Sequence, residues 1–100
     1  MTAGAAVTEV DHLVVAAATL ASGIDYVEGK LGVRVPVGGK HPVMSTHNAV
    51  MRLGSSVYLE VIAADPEAAP PPRPRWFALD HPEVVRRLAD DGPFLTTWVA

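Results

Sequence analysis

The segment Val10–Ala17 constrains the fold most strongly, because it is short, apolar and rich in β-branched residues. Such a run is typical of a strand that is buried on both faces. Alternate side chains of a strand point to opposite faces, so His12, Val14 and Ala16 share one face and the remaining residues share the other. The pattern therefore places one imidazole inside an otherwise apolar strand.

A helical pattern follows this strand. Apolar residues recur at the spacing of one helix face from Leu20 to Leu31, which predicts an amphipathic helix that packs on a sheet. Thr19 or Ser22 can cap its start, and Gly32 can end it.

Further extended segments follow the helix. We predict that Val33–Val37 is extended and that residues 38–42 form a loop. His47–Leu53 and Val57–Ala63 are predicted to be strands, joined by a turn at residues 54–56. The order strand, helix, strand, strand, strand predicts a βαβββ module of the α+β class.

The last third of the chain begins with a proline-rich segment, Asp65–Arg75, which predicts a stiff connection. Asp80 or His81 can cap a short helix that Pro82 opens. Phe94–Ala100 has the apolar pattern of a strand. Because the chain ends within this strand, we expect the natural protein to continue past Ala100.

Three parts of the chain are therefore predicted. They are a first βαβββ module over residues 1–66, a proline-rich linker with a short helix over residues 67–93, and the start of a possible second module over residues 94–100.

Composition excludes several classes of protein. Apolar residues make up 49% and charged residues 19% of the 100 residues, which is typical of a single small globular core. The net charge of -3 and the scattered basic residues argue against nucleic-acid binding. The absence of cysteine excludes disulfides and thiolate metal sites, so any metal ion must be held by His, Asp or Glu.

The N-terminal segment Ala3–Val7 is apolar, but no basic region precedes it and polar residues follow from Thr8 to His12. This pattern predicts neither a signal peptide nor a membrane span. We therefore expect a cytoplasmic protein without a membrane partner. The high content of Ala, Val, Pro and Arg is typical of a bacterium with GC-rich DNA.

His12 on the first predicted strand and Glu60 on the fourth are the candidate site, because each is an ionisable side chain within an apolar strand. Burying such a group without a partner costs a few kcal/mol. If the two strands are neighbours, an imidazole nitrogen and a carboxylate can bind one divalent ion and leave positions open for substrate oxygens. Alternatively, the two side chains form a hydrogen-bonded pair that needs no metal ion.

Other polar residues can contribute to such a site. His41 lies in the predicted loop, where a solvated side chain is the alternative interpretation. His47 and Asn48 open the third strand, where turn or capping hydrogen bonds are the alternative interpretation. Tyr58 shares a predicted face with Glu60. These four residues are candidate substrate contacts, and His41 or His47 could also add a third metal ligand.

Several short segments, taken together in their order and spacing, resemble the glyoxalase-like domain family of the vicinal oxygen chelate superfamily. The segments that carry this resemblance are Asp11–Val15, Leu31–Arg34, Gly38–Pro42, Thr46–Ala49 and Tyr58–Ala63.

The resemblance implies a mixed, curled sheet in which paired modules form a cup. In metal-dependent members a His on the first strand and a Glu on the fourth strand of a module are ligands, and His12 and Glu60 match these positions. The implied cofactor is a divalent ion such as Zn, Ni, Mn or Fe, and Glu60 is the implied catalytic residue. Thr97 stands roughly where a second module would place its His, and threonine is a poor ligand.

Three functions are compatible with this resemblance. The first is a metal-dependent lyase, isomerase or dioxygenase that acts on a small substrate with vicinal oxygens. The second is a protein of the bleomycin-resistance type, which sequesters a small molecule without catalysis. The third is a half-domain that is inactive in this form, with a second copy in a homodimer, or an intramolecular second module, covering its sheet.

Overall fold

The computed structural model describes residues 9–100, and the N-terminal segment Ala3–Val7 lies outside the described residues. Along the described chain one helix separates the first strand from three consecutive strands, and a second helix precedes the last strand, which confirms the predicted α+β class. The elements are β1 (His12–Ala17), α1 (Leu20–Leu31), β2 (Val37–His41), β3 (Thr46–Arg52), β4 (Tyr58–Ala64), α2 (Pro82–Asp91) and β5 (Phe94–Val99).

Over these residues the strands form one open, mixed sheet in the order β2-β3-β4-β1-β5. β1 and β4 pair in parallel at its centre, and the other neighbouring strands pair antiparallel. The prediction that the first and fourth strands can be neighbours is confirmed. His12 lies opposite Tyr58, and Val14 lies opposite Glu60.

α1 has the bounds that its sequence pattern predicts. Thr19 is the N-cap, and its Oγ1 accepts a hydrogen bond of 3.1 Å from the Ser22 N–H. Gly32 ends the helix in the left-handed conformation, with φ of 72°, and its N–H donates to the Glu28 carbonyl. Ile24 and Val27 are buried against the sheet, so packing of the apolar stripe stabilises a helix that contains two glycines.

The sheet is covered on both faces. We call one side the α1 face, where α1 packs on alternate residues of β1 and β4 such as Val15 and Val61. We call the other side the α2 face, where Leu88 of α2 packs with Val14 and Ile62. Burial on both faces explains why β1 and β4 are almost continuously apolar.

The predicted loop at residues 38–42 is wrong, because Val37–His41 forms the edge strand β2. β2 pairs antiparallel with β3, and Lys40 lies opposite His47. Its first four residues are exposed, so no apolar alternation marks the strand in the sequence.

The C-terminal third also follows the predicted pattern. His81 caps α2 by accepting a hydrogen bond from the Glu83 N–H, and Pro82 opens the helix. β5 then pairs antiparallel with β1, so residues 94–99 extend the same sheet. Their assignment to a second module stays a prediction. Neither helix within residues 9–100 has the length and apolar character needed to cross a membrane.

Candidate functional site

His12 and Glu60 meet on the α2 face, away from the part of that face that α2 covers. His12 is the first residue of β1 and Glu60 the third residue of β4, so the parallel register brings their side chains together diagonally. The distance from His12 Nε2 to Glu60 Oε1 is 3.3 Å, and the two side chains are only 12% and 9% exposed. The site is thus a nearly buried imidazole and carboxyl group in contact.

Asp11 orients the imidazole of His12. Its Oδ2 atom lies 2.8 Å from His12 Nδ1. A carboxylate can only accept a hydrogen bond, so Nδ1 carries a proton, and Nε2 is the nitrogen that faces Glu60. A carboxylate that holds the second nitrogen in this way is the usual companion of a metal-binding histidine.

The contact between His12 and Glu60 requires a proton or a metal ion between the two facing atoms. A neutral Nε2 and an ionised carboxylate both offer lone pairs, so they repel unless a proton or a metal ion lies between them. The separation of 3.3 Å is longer than the 2.7–2.9 Å that is typical of a charge-assisted N–H···O bond. Ligand atoms about 2.1 Å from one shared ion, at angles between octahedral and tetrahedral values, lie roughly 3.0–3.4 Å apart.

Asn48 and His41 extend the site across β3 and β2. Asn48 Nδ2 donates a 2.8 Å hydrogen bond to Glu60 Oε2 and lies 3.4 Å from His41 Nε2. His41 Nδ1 is 2.9 Å from the Thr46 hydroxyl. The polar groups on this face therefore form one connected chain from the exposed Asp11 to the buried Thr46, in which each member has a partner.

Tyr58 lies beside His12 and stacks on its imidazole. Burial, and then the negative charges of Asp11 and Glu60, raise the pKa of the Tyr58 phenol. Tyr58 also lines a pocket of about 330 Å³ next to the site, together with Val50 and Arg52. A pocket of this size can hold a small organic ligand.

His47 does not join the other candidate residues. It follows Thr46 and precedes Asn48 in β3, so its side chain points to the α1 face, where its neighbour Ala63 also packs. There it lines a larger pocket of about 480 Å³ at the start of α1. Its Nε2 atom is buried without a hydrogen-bond partner among the described residues. His47 therefore lies on the opposite face of the sheet from His12 and Glu60, and its role as a substrate contact stays a prediction.

Sequence reasoning did not single out Asp11 or Thr46, which lie at the two ends of this chain of polar groups. Asp11 precedes β1 and has no periodic pattern around it, yet it fixes the tautomer of His12. Its position next to a histidine at the start of a strand was the signal that could have identified it.

Among the described residues, His12 and Glu60 are the two candidate ligands that lie in contact on this face. Within residues 9–100 no group of three His, Cys, Asp or Glu side chains converges as a metal-binding cluster. Asp11 contacts the opposite nitrogen of His12 and so cannot share an ion held at Nε2. Thr97, opposite Val14 on β5, is exposed and is a poor ligand.

The fold and this pair of side chains define a class of protein. A βαβββ module that presents a His from its first strand and a Glu from its fourth strand on one face is the arrangement expected for a vicinal oxygen chelate module. The sequence model of the family described as "Glyoxalase-like domain" matches residues 10–100, and the chain belongs to this family. Comparison with the curated proteins and with the solved structures gave no match.

Proposed function

We propose that this chain binds a divalent metal ion between His12 and Glu60 and acts as a metal-dependent glyoxalase-like enzyme. The substrate class is a small molecule with two neighbouring oxygens, and the reaction is of the lyase, isomerase or dioxygenase type. A divalent ion at this position supplies Lewis acidity, because it polarises substrate oxygens and stabilises negative charge that develops on them.

One observation carries this proposal. His12 Nε2 and Glu60 Oε1 lie 3.3 Å apart while every other hydrogen-bonding atom of the two side chains is engaged, by Asp11 on one side and by Asn48 on the other. The gap is too long for a strong charge-assisted hydrogen bond and fits two neighbouring ligands of one ion. These residues fit the ion as two of its ligands.

The remaining ligand positions need donors from outside residues 9–100, from water or from substrate. A second copy of the chain, or an intramolecular second module, is the proposed source of the protein donors. The exposed edge strand β5 supports this, because Leu95 and Trp98 on its α1 face are 58% and 55% exposed. Covering apolar side chains at a sheet edge favours association.

The other residues have proposed roles that follow from their positions. When Glu60 Oε1 is not bound to the metal ion, it can exchange a proton with substrate. Glu60 is therefore the proposed catalytic residue. Tyr58 and His41 flank the pair on either side and are proposed to contact substrate. The pocket beside Tyr58 is the proposed place for the part of the substrate that does not react.

Metal titration tests the proposal. Protein purified without chelators should bind Zn²⁺, Ni²⁺, Mn²⁺ or Fe²⁺ in calorimetric titration, and Glu60→Gln should abolish binding because it removes the charged ligand while keeping the shape of the side chain. Glu67→Gln is the matched control, since Glu67 is exposed and bonded to the Lys40 side chain instead. Equal affinity in wild-type protein and Glu60→Gln, with both folded by circular dichroism, would reject the proposal.

A second function is favoured by a separate observation. The pocket of about 330 Å³ and the stacked rings of Tyr58 and His12 form a binding surface that needs no metal ion, and a shared proton can occupy the gap between His12 and Glu60. This favours sequestration of a small molecule without catalysis. A metal-free protein whose melting temperature rises with an aromatic compound, and does not change with metal ions, would support this second function.

A further inference from the structure

The side-chain amide of Asn48 has a fixed orientation. Its Oδ1 atom accepts a 2.8 Å hydrogen bond from the Gly39 N–H, which can only donate. The NH2 group therefore faces the other way, toward Glu60 Oε2 at 2.8 Å and His41 Nε2 at 3.4 Å. Because Asn48 is 9% exposed, an amide rotated by half a turn would leave buried groups unpaired.

Gly38 makes room for this amide. A Cβ atom added to Gly38 would overlap Asn48 Oδ1 and come within 3.3 Å of the Asn48 carbonyl oxygen. A side chain at position 38 would therefore push the Asn48 amide from its place or force β2 away from β3. The close approach of the edge strand depends on glycine at this position.

We infer that Asn48, held in place by the Gly38–Gly39 segment of β2, is the positioning residue that directs the Glu60 carboxylate. By occupying Oε2, the amide prevents rotation of the carboxylate and leaves Oε1 directed at His12 Nε2. Glu60 then presents one carboxylate oxygen, and not two, to the proton or metal ion between it and His12. The metal-affinity test of this inference rests on the proposed function. The hydrogen bond from Asn48 to Glu60 can be tested without metal.

The metal-affinity test uses two variants, one at Asn48 and one at Gly38, the glycine that makes room for the Asn48 amide. Asn48→Ala removes the amide and Gly38→Ala displaces it, and each should weaken Zn²⁺ binding about 10- to 100-fold, as is typical for residues that orient a metal ligand. Gly54→Ala is the control, because a Cβ atom at this glycine of the β3–β4 turn meets nothing within 4 Å. Zn²⁺ affinity unchanged in Asn48→Ala, or reduced equally in Gly54→Ala, would overturn the inference.

Nuclear magnetic resonance separates failure of this inference from failure of the proposed function. In metal-free protein, Glu60→Gln and Gly38→Ala should each shift the side-chain NH2 resonances of Asn48, whereas Gly54→Ala should leave them in place. If wild-type protein binds no metal but these shifts occur, the proposed function fails and the positioning role stands. If Glu60→Gln leaves the Asn48 resonances unchanged, the positioning role is wrong.

Discussion

Tyr58 stacks on the imidazole of His12, with ring centroids 4.6 Å apart and ring planes that differ by 11°. The parallel register of β1 and β4 places the two residues directly opposite each other. The phenol ring therefore covers one side of the imidazole and limits its rotation. Asp11 holds the Nδ1 edge of the same ring, so the direction of His12 Nε2 is set by two independent contacts.

Titration of Tyr58 tests this arrangement. Burial, followed by the charges of Asp11 and Glu60, raises the pKa of Tyr58 above its ordinary value. In a Tyr26→Phe background, where Tyr58 is the remaining tyrosine, the phenol absorbance should change above the pH at which free tyrosine titrates. Asp11→Asn should lower that midpoint, because it removes one of the two negative charges.

The same shift has a consequence for stability. The unfolded chain releases its tyrosine proton at about pH 10, before the folded chain does. The contribution of Tyr58 is therefore fully present below that pH and is lost as the pH rises through the folded value. A Tyr58 that titrates at or below free tyrosine would contradict the prediction.

Two aspartates should make the protein sensitive to acid. The backbone N–H of Glu67 lowers the pKa of Asp65, with a further contribution from Lys40, and the backbone N–H and side chain of Arg75 lower the pKa of Asp80. Their stabilisation is present above the unfolded value of about 3.9 and is lost as the pH falls through the folded values. Urea unfolding from pH 7 to pH 3 should show this loss.

Two substitutions check the acid dependence. Asp65→Asn and Asp80→Asn should each flatten the dependence of the unfolding free energy on pH, because the amide no longer titrates. Asp90→Asn, at an exposed position of α2, is the control and should keep the slope of the wild-type protein. A slope unchanged in both Asp65→Asn and Asp80→Asn would show that other groups cause the acid sensitivity.

Two glycines of α1 should respond in opposite directions. A Cβ atom at Gly23 would overlap the Val61 side chain and lie 2.8 Å from the Ala17 Cβ, so Gly23→Ala should destabilise the fold by about 1–3 kcal/mol. A Cβ atom at Gly29 meets nothing within 4 Å, so Gly29→Ala should stabilise it by about 0.5–1 kcal/mol through helix propensity. Denaturant unfolding measures both, and the same sign for both would contradict the packing of α1.

Association through β5 is the fourth prediction. Leu95 is 58% exposed and lines an apolar groove of about 310 Å³ with Leu31 and Leu53. Leu95→Lys should shift sedimentation at micromolar concentration toward the monomer. Val43→Lys should not, because Val43 is 75% exposed in the β2–β3 turn, away from this groove. A wild-type protein that sediments as a single monomeric species would refute the association.

Most elements could be predicted from the sequence because their apolar patterns report burial. α1 and α2 pack on opposite faces of the sheet, and each carries apolar residues at helical spacing. β1 and β4 are buried between them and read as short apolar runs. β2 could not be located in this way, since its first four residues are exposed and its pairing with β3 is mainly through the backbone. Hydrogen bonding between backbones leaves no mark on the hydropathy of a strand.

The candidate site was partly predictable for the same reason. His12 and Glu60 stand out as ionisable groups in apolar strands, and their contact follows once the strands are neighbours. The contact of Asn48 with Glu60 depends on the β3–β4 register, which the sequence alone does not specify. The alternation of side chains along β3, however, does predict that the adjacent residues His47 and Asn48 point to opposite faces of the sheet.

The parallel pairing of β1 with β4 joins segments that are far apart in the chain, with α1, β2 and β3 between them. No local hairpin contains both His12 and Glu60, so closing this long span must precede the formation of the site. Any ligand that needs both side chains will therefore bind only the completed sheet. Binding of such a ligand therefore shows that the whole domain has folded. It should raise the free energy of unfolding of the sheet as one unit.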